Sequence, residues 1–401
     1  MKKSHWLLLL VPIFAATLFL LLRQPASAPP LALSLPAPGD QPVDYERDVR
    51  PIFEHKCIAC HACYDAPCQL KLASHEGVQR GASKQVVYDG TRTQDAPPNR
   101  LYVDAEGTPA WRERGFFSVL DGQAEAPALM ARMLALGHQA PWAANERLPD
   151  SLDISIKRNN QCVNADEFDA FAAKHPQAGM PFAVTGLSGE EYQLLVDWLA
   201  QGARVPEQTR PLSAGLEREV RRWEHWLNRD DNRHRLVARY LYEHWFLAHL
   251  HFEGDQDQVF FELVRSRTPP GEPIAIIPTV RPTDGVAGDF YYRLRPRLES
   301  RVHKTHITYP LSEAKMARLE QLFFTPDWTV ATLPGYGPEA AANPFTTYAA
   351  IPARARYQYL LDNAEYFVRT FIRGPVCRGP IATDVIRDQF WVSFQHPQHD
   401  L

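Results

Sequence analysis

Residues 57–68 read CIACHACYDAPC, which places four of the chain's six cysteines within one short stretch and a histidine directly after the second. Such a stretch closes a disulfide knot, binds a metal, runs dithiol chemistry or holds a prosthetic group. Zinc usually takes ligand pairs at short spacing, and a second pair from Cys63 and Cys68 would have a five-residue step. Dithiol exchange would need a βαβ context, which the surrounding residues do not offer. Cys57-x-x-Cys60-His61 instead matches the attachment pattern of haem c. Two thiols spaced this way reach one porphyrin edge, and the next residue brings an imidazole to the iron as proximal ligand. The expected cofactor is therefore one covalent haem c per chain, held by Cys57, Cys60 and His61.

The N-terminus bears on the same choice. Lys2 and Lys3 precede an apolar run from Trp6 to Leu22, and Ala26-Ser27-Ala28 offers a small-residue cleavage site. That is the layout of an export signal. The run is also long enough for an uncleaved membrane anchor, and both readings stand. Either way the lysines stay inside, and the chain from about residue 30 is expected in the periplasm. Thiols tend to oxidise there, which again disfavours dithiol chemistry. Residues 1–28 are thus a signal peptide or anchor, and the proline-rich residues 29–43 a linker.

Both flanks of a cytochrome c-like domain, residues 44–204, can be read. In DYERDVRPIFEHK, Asp44 can cap a helix whose one face carries Val49, Ile52 and Phe53. Downstream, AGMPFAVTGLSGEEYQLLVDWLAQGA places Met180 before Pro181, as an axial methionine often stands, although methionine is also common core filler. Ser188 and Glu191 form a capping box. Leu194, Leu195, Trp198 and Leu199 share a helical face, and Gly202 suits the position past its end. Between His61 and Met180 lies a long insertion, in which Asp89–Gly115 reads as loop with short strands.

Residues 205–401 predict a second, α+β domain, so the expected fold class is mainly α with α+β portions. Two helices broken near Asn228–Asn232 are expected from Leu216 through Asp255, with Leu236, Tyr240, Leu247 and His251 on one face. Two strands should flank the Asp284-Gly285 turn, Ser312 should start a helix ending at Phe324, and a long helix should follow Ala355, with a strand at Phe390–Phe394. Trp223, Trp226, Trp245 and Phe246 among arginines could seek a membrane interface or pack on their own core. His244, His249 and His251 have offsets that do not stack on one helix face, against a metal site. Cys63, Cys68, Cys162 and Cys377 allow three pairings, Cys63–Cys68 being the most local, or stay free. The net charge of −4 argues against a nucleic-acid partner.

The exported N-terminus, CHACYDAPCQLKL, the methionine–proline ending, RYLYEHWFLAHLHF and YFVRTFIRGPVCRG together resemble the bacterial fatty acid cis/trans isomerases. Members of that family continue further, so the chain resembles their N-terminal part, and its second domain is expected to be incomplete at the C-terminus. The resemblance implies a periplasmic haem c isomerase that turns cis double bonds of unsaturated fatty acid or phospholipid acyl chains to trans at the membrane surface. It implies no bond migration, no ATP and no net redox change, and a stiffer membrane under stress. The haem residues alone would equally serve a periplasmic electron-transfer cytochrome, the haem subunit of an oxidoreductase, or a haem-bearing scaffold.

Overall fold

A computed structural model describes residues 33, 35–62, 66–85, 99–122, 127–154, 160–205, 212–256, 259–297, 299–300, 307–373 and 396–399. The apolar run Trp6–Leu22, Cys63, Cys377 and the expected strand Phe390–Phe394 lie outside them. No helix among the described residues is long and apolar enough to cross a membrane. The fold mixes α and β, with helices predominating and two small sheets.

The first half starts where the sequence says it should. The Asp44 carboxylate accepts from the Arg47 N–H at 2.8 Å. A π-helical turn, Tyr45–Val49, runs into α1 (Arg50–Lys56), with Pro51 in its first turn, where its missing N–H costs nothing. There follow α2 (Ile58–His61), α3 (His75–Arg80), α4 (Gly107–Glu113), α5 (Leu129–Gln139), α6 (Phe168–Lys174) and α7 (Gly189–Ala200). Strands β1 (Ala82–Ser83) and β2 (Phe116–Phe117) pair antiparallel. Val49, Phe53, Phe168, Leu195 and Trp198 anchor a shared core. Helix α7 has the expected capping box: the Glu191 N–H donates to Ser188 Oγ at 3.1 Å, and the Ser188 N–H to the Glu191 carboxylate at 2.8 Å. Gly202 beyond it takes a φ of +85°, which suits glycine.

Within the Asp89–Gly115 stretch the expectation of loop and strands needs correction, because Gly107–Glu113 is helical. The cause is tertiary. Trp111 is buried edge-on to Phe116, with 5.1 Å between ring centroids, and the buried Arg80 guanidinium lies over both rings. Such packing overrides a weak local preference.

The proline-rich stretch is strapped down where it is described. The Gly39 N–H donates to Asp197 at 2.8 Å, and the Val43 N–H to Gln201 at 3.0 Å. Gln193 and Gln201 return bonds to the Ala37 and Gln41 carbonyls. All three side chains project from α7 or its C-terminal end, and Leu33, Leu35 and Val43 pack against the first core.

The second half has its own core around Trp223, Trp245, Leu250, Phe261, Tyr309 and Phe323. Helices α8 (Ala214–Leu227) and α9 (Asn232–Trp245) break where expected, with Asp231 capping α9 through the His234 N–H at 3.0 Å. Helix α9 ends sooner than its apolar spacing suggests. His249–Phe252 is instead strand β3, so Leu247 and His251 do not extend the helical face. Strand β3 runs antiparallel to β4 (Phe260–Ser266) and parallel to β6 (Thr308–Leu311). Strand β5 (Tyr291–Arg297) pairs with β4 in the register Leu263↔Leu294. The expected hairpin about Asp284 is thereby corrected, because residues before the turn contribute only an isolated bridge, Ser266↔Ile276. Helix α10 (Glu313–Phe323) is capped by Ser312 as expected. After the short α11 (Pro338–Ala342) and α12 (Pro344–Thr347), the expected long helix is two, α13 (Ala353–Asp362) and α14 (Ala364–Arg373). Asn363 divides them, its amide donating to the Tyr359 carbonyl at 2.7 Å.

The halves meet through polar contacts. The Ser300 N–H donates to the Ala73 carbonyl at 2.7 Å. Arg295 reaches the Tyr102 carbonyl at 2.9 Å, and Lys71 pairs with Glu299 at 2.5 Å. Burial alone would raise the Glu299 carboxyl, but Lys71 and Arg297 outweigh it and hold the group at about 2.

Candidate functional site

Cys57 closes α1, its N–H donating to the Phe53 carbonyl at 2.9 Å. Its own carbonyl then accepts from Cys60 at 3.1 Å and from His61 at 3.0 Å. One tight turn therefore fixes the positions of all three side chains. Cys57 is half-buried and Cys60 exposed, and both are free thiols. Burial, helped by the nearby Cys60 and Glu191, pushes the Cys57 thiol up to about 12.

His61 is 8% exposed. Its Nδ1 lies 2.9 Å from the Leu70 carbonyl. A carbonyl only accepts, so Nδ1 carries the proton and Nε2 keeps its lone pair. Burial lowers the pKa of the ring, and the Leu70 bond opposes this in part. A neutral imidazole with Nδ1–H anchored on a carbonyl is the state in which histidine binds metal.

The loop that offers the Leu70 carbonyl is braced from several sides. Cys68 and Gln69 both have positive φ, 56° and 51°, a region other residues enter rarely. Cys68 is bonded to Cys162, with Cα atoms 5.3 Å apart. The Gln69 amide donates to the Gln85 carbonyl at 2.9 Å, and Arg80 donates to the Gln69 carbonyl at 2.6 Å and the Asn99 carbonyl at 2.8 Å. The local Cys63–Cys68 pairing is thereby corrected: the partner of Cys68 lies 94 residues away.

Met180 is half-buried against the same core as Cys57. Its N–H donates to the Met133 carbonyl of α5 at 2.9 Å. Neighbouring Gly179 abuts Gly137 of α5 so closely that a Cβ on Gly179 would lie 2.0 Å from the Gly137 nitrogen. The Met180–Pro181 bond is cis. The chain then reaches Gly186, whose carbonyl accepts from Lys56 at 3.2 Å, the residue before Cys57. The fold thus routes the Met180 segment from α5 to the end of α1.

Other expectations resolve as follows. Trp223, Trp226 and Trp245 are buried in the second core, so the α8–α9 surface is not an exposed aromatic patch. His244 is bonded through Nδ1 to the Tyr240 carbonyl at 2.7 Å, and His249 and His251 lie on β3. Among the described residues no three His, Cys, Asp or Glu side chains converge to hold a metal ion.

The donor set fits a haem. Two unbridged thiols and a histidine with one free ring nitrogen stand on a single turn, and Met180 packs on the same core. A porphyrin brings four nitrogen donors of its own, so it needs no such cluster.

A family model described as fatty acid cis/trans isomerase matches residues 96–401. The chain belongs to the fatty acid cis/trans isomerase family. It is an isomerase, and its substrates are fatty acyl chains. The matched span includes Met180, Cys162 and the whole second half, and it begins after Cys57, Cys60 and His61, so it bears on the activity and not on the cofactor. No curated protein and no solved structure matches the chain.

The sequence pattern pointed to Cys57, Cys60, His61 and Met180. It gave no hint of Leu70, which acts through its backbone, nor of Gln69 and Arg80. The one available signal for the brace was the pair of cysteines, Cys68 and Cys162.

Proposed function

We propose that this isomerase works through one haem c, bound covalently at Cys57 and Cys60 with His61 as proximal ligand. It would act from the periplasm on cis-unsaturated acyl chains of the membrane and lower membrane fluidity under stress. The carrying observation is His61, buried and anchored through Nδ1, with Nε2 left to bind iron beside two unbridged thiols. The Cys68–Cys162 bond supports an oxidising compartment.

When bound, the haem supplies an electron-withdrawing centre that weakens the π overlap resisting rotation. The protein's own contribution is positional. Cys57 and Cys60 would hold the porphyrin at the end of α1. The Leu70 carbonyl holds the His61 tautomer, and the packed core keeps water off the ring. The Gly137–Gly179 contact sets where Met180 can stand. Trans is the lower-energy isomer, so the reaction needs neither ATP nor a net electron donor.

The test uses the full chain matured in a host that attaches haem c. The expected product carries a chromophore that survives acid–acetone extraction and is lost in Cys57→Ala/Cys60→Ala. Vesicles of cis-monounsaturated phospholipid, incubated without reductant or ATP, should yield trans chains by gas chromatography. An extractable chromophore or none refutes the cofactor assignment. Product only in step with a consumed electron donor points instead to an oxidoreductase.

A further inference from the structure

The first half contains an open groove of about 860 Å³. Its apolar wall comes from Leu35 of the strap, Leu120, Ala131 of α5, and Val196 and Leu199 of α7. Its polar lining includes Gln79, Arg112, Ser118 and Asp121. That volume falls within the roughly 300–1,000 Å³ of ligand sites, which are mostly apolar with a few placed polar groups.

We infer that this groove is the acyl-chain site, with Arg112 receiving the oxyanion of the lipid head. The choice of ligand rests on the isomerase reading, but the geometry is independent of it. The wall is apolar at the strap and the two helices, as an acyl chain requires. The Arg112 guanidinium donates to the Arg80 and Gln79 carbonyls at 2.8 and 3.2 Å, which orients it without neutralising it. No carboxylate forms an ion pair with it among the described residues, and Asp121 is exposed. Helix α5, which supplies Ala131 to the wall, also docks the Met180 segment, the Met180 N–H donating to the Met133 carbonyl. Ala131 precedes Gly137 by six residues, about 9 Å along a helix at 1.5 Å per residue. The groove and the dock of the Met180 segment therefore share α5.

The head could be the carboxylate of a free fatty acid or the phosphate of a phospholipid, and the test separates them. The full chain is irradiated with a diazirine-bearing cis-octadecenoic acid, and separately with vesicles of phosphatidylcholine bearing the same acyl chain. Adducts are then mapped by mass spectrometry. Adducts on peptides holding Leu35, Leu120, Ala131, Val196 or Leu199 support the site, and the probe that gives them identifies the head. Adducts confined to other regions, from both probes, overturn it. Leu199→Trp, which narrows the groove, should cut labelling there with an unchanged unfolding midpoint. Arg112→Met should cut labelling about tenfold, the loss of one charge-assisted contact. Undiminished groove labelling in both variants also overturns the assignment. Labelling needs neither haem nor turnover. A labelled groove in a protein without haem sinks only the proposed function, and turnover with an unlabelled groove sinks only this inference.

Discussion

Gly137 and Gly179 let two backbones touch, and replacing either tests the placement of Met180. A Cβ on Gly137 would lie 2.2, 2.7 and 2.9 Å from the Met180 carbonyl oxygen, carbonyl carbon and nitrogen. One on Gly179 would lie 2.0 Å from the Gly137 nitrogen and 2.5 Å from its Cα. These are main-chain atoms, so no rotamer change relieves the clash. Two effects compete in Gly137→Ala. Alanine in a helix interior gains about 1 kcal/mol over glycine. Overpacking a tight contact costs about 1–3 kcal/mol, and the upper end applies because backbone must move. The clash wins by about 2 kcal/mol. Gly179→Ala lacks the helical gain, so it should cost at least as much. At about 2–4 °C per kcal/mol for a domain of this size, either variant should unfold some 4–8 °C lower. Gly189→Ala serves as the control. Its Cβ meets nothing within 4 Å, and Gly→Ala at a compatible backbone stabilises by about 0.4–1 kcal/mol. Calorimetry on the three variants decides. If Gly137→Ala and Gly179→Ala unfold at or above the parent temperature, the two backbones are not in contact, and the placement of Met180 falls with that contact.

Three further perturbations follow from the contacts around the site. Glu299 has its pKa depressed to about 2, so its stabilising contribution is complete above the unfolded carboxylate range near 4.3. It is lost as pH falls from there through about 2; Glu299→Gln should flatten that part of a melting-temperature profile, and an unchanged profile refutes the pairing. Cys162→Ser opens a bridge spanning 94 residues, and chain entropy puts the loss at about 4–5 kcal/mol; urea titration of the oxidised parent against the variant measures it, and equal midpoints would mean the bridge does not form. Asp197→Ala removes the acceptor of the Gly39 and Gln193 bonds. The strap should loosen by about 1–2 kcal/mol and be cut faster between residues 35 and 43 in limited proteolysis, and an unaltered cleavage rate refutes its role.

Legibility followed the range of the forces involved. Asp44, Ser188 with Glu191, and Ser312 declare helix starts because a cap is satisfied within three residues, and each is where the sequence put it. The turn at Cys57–His61 is equally local. Strands β3 and β4 were missed for the opposite reason. His249–Phe252 continues an apolar spacing compatible with a helix, and only pairing with Thr308–Leu311 makes it a strand. Gly107–Glu113 likewise becomes helical through Trp111 meeting Phe116 and Arg80. Trp223, Trp226 and Trp245 looked equally fit for a surface or a core, because composition does not say which face a neighbour will cover.

The residues between His61 and Met180, which look surplus in the sequence, have a definable job. A carbonyl at position 70 orients His61, and no side-chain substitution there can delete a carbonyl. Its position is controlled only by what holds the loop. Cys162 holds Cys68 from the far end of the insertion. Gln85 accepts from Gln69. Arg80 clamps the Gln69 carbonyl and itself lies over the rings of Trp111 and Phe116. Met133 and Gly137 then dock the Met180 segment on α5. Both the anchored imidazole and the methionine are therefore held from within the insertion. Shortening it would release the two together, although neither Cys57 nor His61 would change.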